Sequence, residues 1–210
     1  PDVNLIKNVA VQFSPTKLSS SAINHIYSHN FNPMITSRSY LSFDAIDLWI
    51  DPDALRLGLI SIVNPSNNPN AIHLQDSGIV PVCTQIAIVN PETRRLCKVG
   101  EFGEIWVCSE GNVQGTISKL YNKSIETFDK YQFNAKIEGG DNSLNYIRTG
   151  DLGFLHNVSR YDKSTAIDFQ PLFVLGQIAD TFESMGLLHF AGDVETSIEN
   201  SHPEIRSGGC

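Results

Sequence analysis

The 210-residue sequence has no basic cluster: 23 Asp and Glu outnumber 15 Lys and Arg, and the net charge is −8. Without a stripe of cations to displace the counterions of a phosphate backbone, no nucleic-acid partner is expected. No apolar run approaches the ~20 residues that span a bilayer, and Pro1-Asp2 opens neither a basic n-region nor an apolar h-region, so no transmembrane segment is expected. Cysteine is sparse. Four stand at 83, 97, 108 and 210, with no Cys-x-x-Cys and no histidine at zinc-ligand spacing. That excludes a metal knuckle and a redox motif, and predicts reduced, mostly buried thiols in a cytoplasmic chain. His25 and His29 lie four apart on a predicted helix, but no third ligand accompanies them, and they read as an exposed or hydrogen-bonded pair. Internal repeats and low-complexity stretches are also missing.

What is present is a globular composition, 41% hydrophobic and 18% charged, enough apolar residues for a substantial core. Residues 8–13 alternate like a short strand. The serines at 19–21 offer caps to a predicted helix with Ala22, Ile23, Ile26 and Tyr27 at helical spacing, and residues 34–40 return to an extended run. This strand, helix, strand order reads as the end of a larger α/β unit, because two strands and one helix cannot bury their own faces. From Asp47 to Val113 short strands alternate with turns, apart from a helical turn at 52–56. Thr84–Val89 and Gly103–Cys108 are predicted to pair across the Asn90-Pro91-Glu92-Thr93 turn, in a small distorted barrel or sandwich. Ser124 would cap a helix over 125–131, and Gly139–Ser143 and Asn157–Thr165 read as flexible loops. A final helix is expected over 193–201, with Val194 and Ile198 on one face. The fold expected is α+β: a β-rich distorted barrel subdomain (47–175), an α/β remnant before it (1–46), and the hinge and start of a small C-terminal α+β domain after it (176–210). The chain reads as an excerpt that begins inside one domain and ends inside the next.

Chemistry concentrates between Tyr146 and Asp180. Thr149-Gly150-Asp151-Leu152-Gly153 by itself is a glycine turn between strands. With Arg148 before it and Val174-Leu175-Gly176-Gln177-Ile178-Ala179-Asp180 about two dozen residues on, it resembles the interdomain junction of acyl-adenylate-forming enzymes, which include the fatty acyl-AMP ligases. The Gly103-Glu104-Ile105-Trp106 strand, in order before it, strengthens that resemblance; Trp106 itself reads as core. Leu48–Leu59 resembles the insertion of fatty acyl-AMP ligases, which packs against the C-terminal domain in that family, although an ordinary surface excursion fits the same residues (insertion about 48–75). Asn32–Tyr40, Asp76–Val80 and Gly186–Ile205 resemble the disco-interacting protein 2 family, in its fungal form, whose members carry tandem fatty acyl-AMP ligase-like domains and are tied to diacylglycerol homeostasis.

The resemblance implies roles residue by residue. Asp151 would accept the ribose hydroxyls, Tyr40 would line the adenine and acyl pocket, Asp44 would assist Mg²⁺, Gln177 would stand near the ribose, and Ala179 and Asp180 would form the hinge. Asp180 could instead only cap a turn. ATP and Mg²⁺ are the implied cofactors of the intact domain, and a fatty acyl or related lipid its substrate. Remaining parts of a multidomain parent are the implied partner, and could bring the chain to an organelle membrane. Departures stand beside the matches: Leu41 replaces the glycine after the family's Tyr, Asp44 stands for a Glu, and Gln177 replaces an Arg. Neither a Gly/Ser/Thr-rich phosphate loop nor the C-terminal catalytic lysine is present, and Lys163 lies in a polar loop, so no catalytic residue is expected in this segment. Two functions remain open: acyl activation by the intact domain, and a non-catalytic lipid-sensing or scaffolding descendant.

Overall fold

A computed structural model describes residues 3–18, 22–39, 44–113, 132–162 and 165–206. Tyr40, Leu41, the serine caps at 19–21, the helix expected over 125–131, Lys163 and the last four residues lie outside them.

The chain opens with helix α1 (Val3–Gln12) and a 3-10 turn (Ser14–Thr16). The alternation over 8–13 pointed to a strand, but a strand needs a neighbour for its backbone groups. The helix satisfies its own, through bonds such as Phe13 N–H to Val9 O at 3.0 Å. The opposite correction follows at once. The helix expected around 22–27 is instead strand β1 (Ile26–His29), which pairs antiparallel with β2 (Asn32–Ser37) in the register Tyr27 to Thr36 and His29 to Asn32. Helical spacing lost here to tertiary packing: Tyr27 is buried against Ile35, Ile105, Val107 and Leu172, while Ile26 on the other face is exposed. His25 and His29 therefore do not share a helix. His25 Nδ1 meets Asp76 O at 3.2 Å, and His29 Nδ1 accepts from Phe31 N–H at 3.4 Å.

Strand β3 (Asp47–Ile50) leads into helix α2 (Pro52–Arg56) and returns through β4 (Ile72–Gln75), its antiparallel partner. The Asp51 side chain accepts from Asp53 N–H, and Pro52 sits at the first helical position, so α2 is capped as its sequence suggests. The centre is a four-stranded antiparallel sheet of β5 (Thr84–Val89), β6 (Gly103–Ser109), β7 (Ile147–Leu155) and β10 (Leu172–Gln177), in the order β10-β7-β6-β5. It does not close into a barrel. Residues 158–162 and 165, expected within a loop, belong instead to a hairpin of β8 (Val158–Asp162) and β9 (Thr165–Phe169). Its residues are largely exposed on both faces, so little hydrophobic alternation marked it.

After a 3-10 turn at Ile178–Asp180 the chain forms a hairpin, β11 (Thr181–Ser184) with β12 (Leu187–Phe190), and helix α3 (Ala191–Glu199). The helix begins two residues before its expected start, and Val194 and Ile198 remain 43% and 45% exposed. Trp106, Ile105, Leu172 and Phe173 are wholly buried at the centre of the sheet, and Phe154 stacks on Phe173 with ring centroids 5.1 Å apart. Burying side chains of this size stabilises by about 1.5–3 kcal/mol each. The expectation of mostly buried thiols fails among the described residues: Cys83 is exposed, while Cys97 and Cys108 are half-buried.

Candidate functional site

The two strongest sequence motifs meet in one buried polar cluster. Glu104, 2% exposed, lies on β6 beside β7. Its carboxylate accepts from Trp106 Nε1 at 2.8 Å, from Arg148 Nε at 3.0 Å and Arg148 Nη2 at 2.7 Å, and from Gly150 N–H at 3.1 Å. The Arg148 guanidinium also lies 5.4 Å from the Trp106 ring centroid. A buried carboxylate with this many donors is fully compensated, and its partners are fixed by it in turn. The Gly-Glu-Ile-Trp strand thus holds the Arg-Thr-Gly-Asp segment from below.

The two glycines of that segment have different duties. Gly150 takes φ 76 with open space around it, so backbone conformation requires it. Gly153 is required by crowding: a Cβ there would stand 2.6 Å from Phe173 O, across the β7–β10 ladder. The kink at Gly150 keeps the chain within strand β7 and aims the next residue inward. Asp151 N–H donates to Thr149 Oγ1 at 3.1 Å, and that hydroxyl donates to Ile105 O at 2.8 Å. The side chain of Asp151, 8% exposed, accepts from Tyr27 Oη at 2.6 Å through Oδ2. Burial first, and then this hydrogen bond, raise the Tyr27 phenol well above its ordinary value, so it stays a donor. Among the described residues, no hydrogen bond engages Oδ1 of Asp151.

Gln177 is the ladder partner of Asp151 on β10. Two expected site residues, 26 positions apart in the chain, are thus brought side by side. The 3-10 turn at Ile178–Asp180 follows directly and holds Ala179 and Asp180, both exposed. Asp44 is exposed two residues before Ile46, whose N–H is anchored on buried Asp76, and no bond links Asp44 to the Asp151 cluster. Among the described residues no group of three His, Cys, Asp or Glu could hold a metal ion. Tyr27 was missed by sequence reasoning. Its signal, one aromatic in a four-residue strand, was hidden by helical spacing around it.

The segment of α2 and β4 reaches the C-terminal part. Leu55, Ile72 and Leu74 line a cleft of about 380 Å³ together with Leu175, Gly176, Asp180, Phe190 and Asp193.

A family model described as "Disco-interacting protein 2-like, AMP domain" matches residues 179–210. The whole chain is 42% identical over 220 residues to the "Homeostatic regulator of DAG" of Saccharomyces cerevisiae, covering 13% of that protein. It is 29% identical over 205 residues to "Disco-interacting protein 2 homolog B-A" of Danio rerio, covering 98% of this chain and 13% of that one. The chain belongs to the disco-interacting protein 2 family. The chain spans about an eighth of the length of these two relatives. Its fold is that of a fatty acyl-AMP ligase-like domain. The crystal structure of fatty acyl-adenylate ligase from L. pneumophila in complex with acyl adenylate and pyrophosphate matches 93% of this disco-interacting protein 2 segment and 30% of its own chain, with TM-score 0.61 and 22% identity. No helix among the described residues is long and apolar enough to cross a membrane.

Proposed function

We propose that this segment supplies the ribose-binding side of an adenylate site in an acyl-activating domain that acts in fatty acid and diacylglycerol metabolism. The observation that carries the reading is the buried carboxylate of Asp151, which accepts from Tyr27 while its backbone N–H is held by Thr149, directly across from Gln177, the residue before the Ile178–Asp180 turn. A carboxylate preorganised in this way accepts hydroxyl hydrogens without first having to be ordered. A ligase of similar fold was solved in complex with acyl adenylate and pyrophosphate, and a relative is named a homeostatic regulator of DAG. In the intact domain ATP would supply the adenylyl group. Asp151 and Gln177 would hold the ribose and Tyr40 would line the pocket, with Asp44 as one ligand of Mg²⁺. Residues 1–46, 47–175 and 176–210 would be three units hinged at Ala179 and Asp180. A fatty acyl group or related lipid would be the substrate, and the rest of the parent chain would provide the phosphate loop and lysine that these residues lack.

Pyrophosphate release by the intact parent, measured with and without fatty acids of several lengths, tests the proposal. Fatty-acid-dependent release that falls at least tenfold in Asp151→Ala is expected, since hydrogen bonds to a charged acceptor contribute about 1.5–3 kcal/mol each. The replacement of an expected arginine by Gln177 favours a second reading, a lipid-sensing or scaffolding module that retains the fold. Release that no fatty acid stimulates would support that module and defeat acyl activation.

A further inference from the structure

We infer that Tyr27 is a positioning residue for the ribose site: by holding Oδ2 of Asp151 it leaves Oδ1 as the principal acceptor, so that one ribose hydroxyl is read more strongly than the other. This rests on the proposed reading of Asp151 as the ribose acceptor. The geometry is specific. Tyr27 and Asp151 are 124 residues apart, both buried, and joined at 2.6 Å. The backbone of Asp151 is already fixed, because its N–H is held by Thr149, whose hydroxyl is tied to Ile105. What freedom remains is rotation of the carboxylate, and Tyr27 removes it.

An ionised carboxylate offers about four lone-pair sites over its two oxygens. A vicinal diol uses them evenly only if both oxygens are equally available. The Tyr27 hydroxyl takes one site on Oδ2 with a short bond, in a pocket where Asp151 is 8% exposed. The remaining capacity is lopsided towards Oδ1. The phenol is buried by Ile35, Ile105, Val107 and Leu172, so it cannot swing aside without opening that cluster. A tyrosine serving packing alone would fill the same volume as phenylalanine and leave the carboxylate free to turn.

Calorimetric titration of the intact parent protein with AMP, 2′-deoxy-AMP and 3′-deoxy-AMP tests this, for wild type, Tyr27→Phe and Asp151→Ala. In wild type, loss of one hydroxyl is expected to weaken binding about tenfold and loss of the other less than about threefold, the difference made by a single hydrogen bond to a charged group. In Tyr27→Phe the two losses should converge. Equal losses in wild type, or an unchanged ratio in Tyr27→Phe, would overturn the positioning role while Asp151→Ala still weakens AMP binding. If AMP binds wild type and Asp151→Ala alike, or does not bind wild type, the reading of Asp151 itself has failed and the inference with it. Should Tyr27→Phe not fold, the wild-type ratio decides alone.

Discussion

The central sheet and the segment after Gly176 are built on different terms. Between Gly103 and Phe173 the sheet buries Ile105, Trp106, Val107, Leu152, Phe154, Leu172 and Phe173 almost completely, whereas no described residue from Gly176 to Arg206 is buried. The second region is held by its own hairpin ladder and by contact with α2, where Leu55 lines one cleft with Phe190 and Asp193. Local stability follows the density of buried apolar contacts. The candidate site straddles the boundary, with Asp151 on the well-packed strand and Gln177 on the last rung before the loosely attached region.

Removing Glu104 should strike the first region hardest. Glu104→Ala leaves the Trp106 indole N–H and the Gly150 N–H without an acceptor and strips Arg148 of its carboxylate. Breaking one side of a buried charged network costs about 3–5 kcal/mol. An unfolding free energy from urea titration lowered by that amount is expected, and a variant as stable as wild type would mean the cluster does not brace the Arg148–Asp151 segment.

A smaller and more local effect is expected from Leu55→Ala. Leu55 is the one fully buried side chain of α2, and a leucine truncated there costs about 2 kcal/mol if its surroundings partly collapse. Limited proteolysis near residues 178–186 should then accelerate on the order of tenfold, with the central sheet still protected. Unchanged cleavage in that stretch would mean α2 does not hold the C-terminal region down.

The smallest effect concerns pH. His156 stands at the end of β7, its ring edge-on to Phe173, and partial burial lowers its pKa below the ordinary 6.5. A histidine depressed in the folded state leaves the unfolded chain binding more protons as pH falls, so stability contributed above pH 6.5 is lost on acidification. His156→Gln should show a shallower fall in urea midpoint between pH 7.5 and 5.5 than wild type. Parallel falls would assign the acid sensitivity elsewhere.

The legible parts of the sequence were those where local pattern and tertiary packing agree. Thr84–Val89 and Gly103–Ser109 alternate and pair in the expected sheet, and Pro52–Arg56 carries its own cap. Trp106 packs inward as its strand position implies. Reading failed where backbone pairing decides without a hydrophobic signature. The β8–β9 hairpin is mostly exposed, and β1 carries helical spacing but is drawn into a hairpin by β2. At the candidate site, Asp151 and Gln177 were singled out from their motifs, whereas Glu104 was read only as part of the Gly-Glu-Ile-Trp strand. The bond from Tyr27 was not, because a contact across 124 residues leaves no mark in local spacing.

The register that places Gln177 opposite Asp151 has a mechanical consequence. A torque applied to the hairpin and helix beyond Ile178–Asp180 is delivered to the terminal rung of a zipper whose opposite member carries the carboxylate. Fraying of a single pair would therefore reach Asp151 before it disturbed Phe173, and the inner tether to Tyr27 would act as a ratchet stop, keeping the carboxylate in place while its outer neighbour peels away.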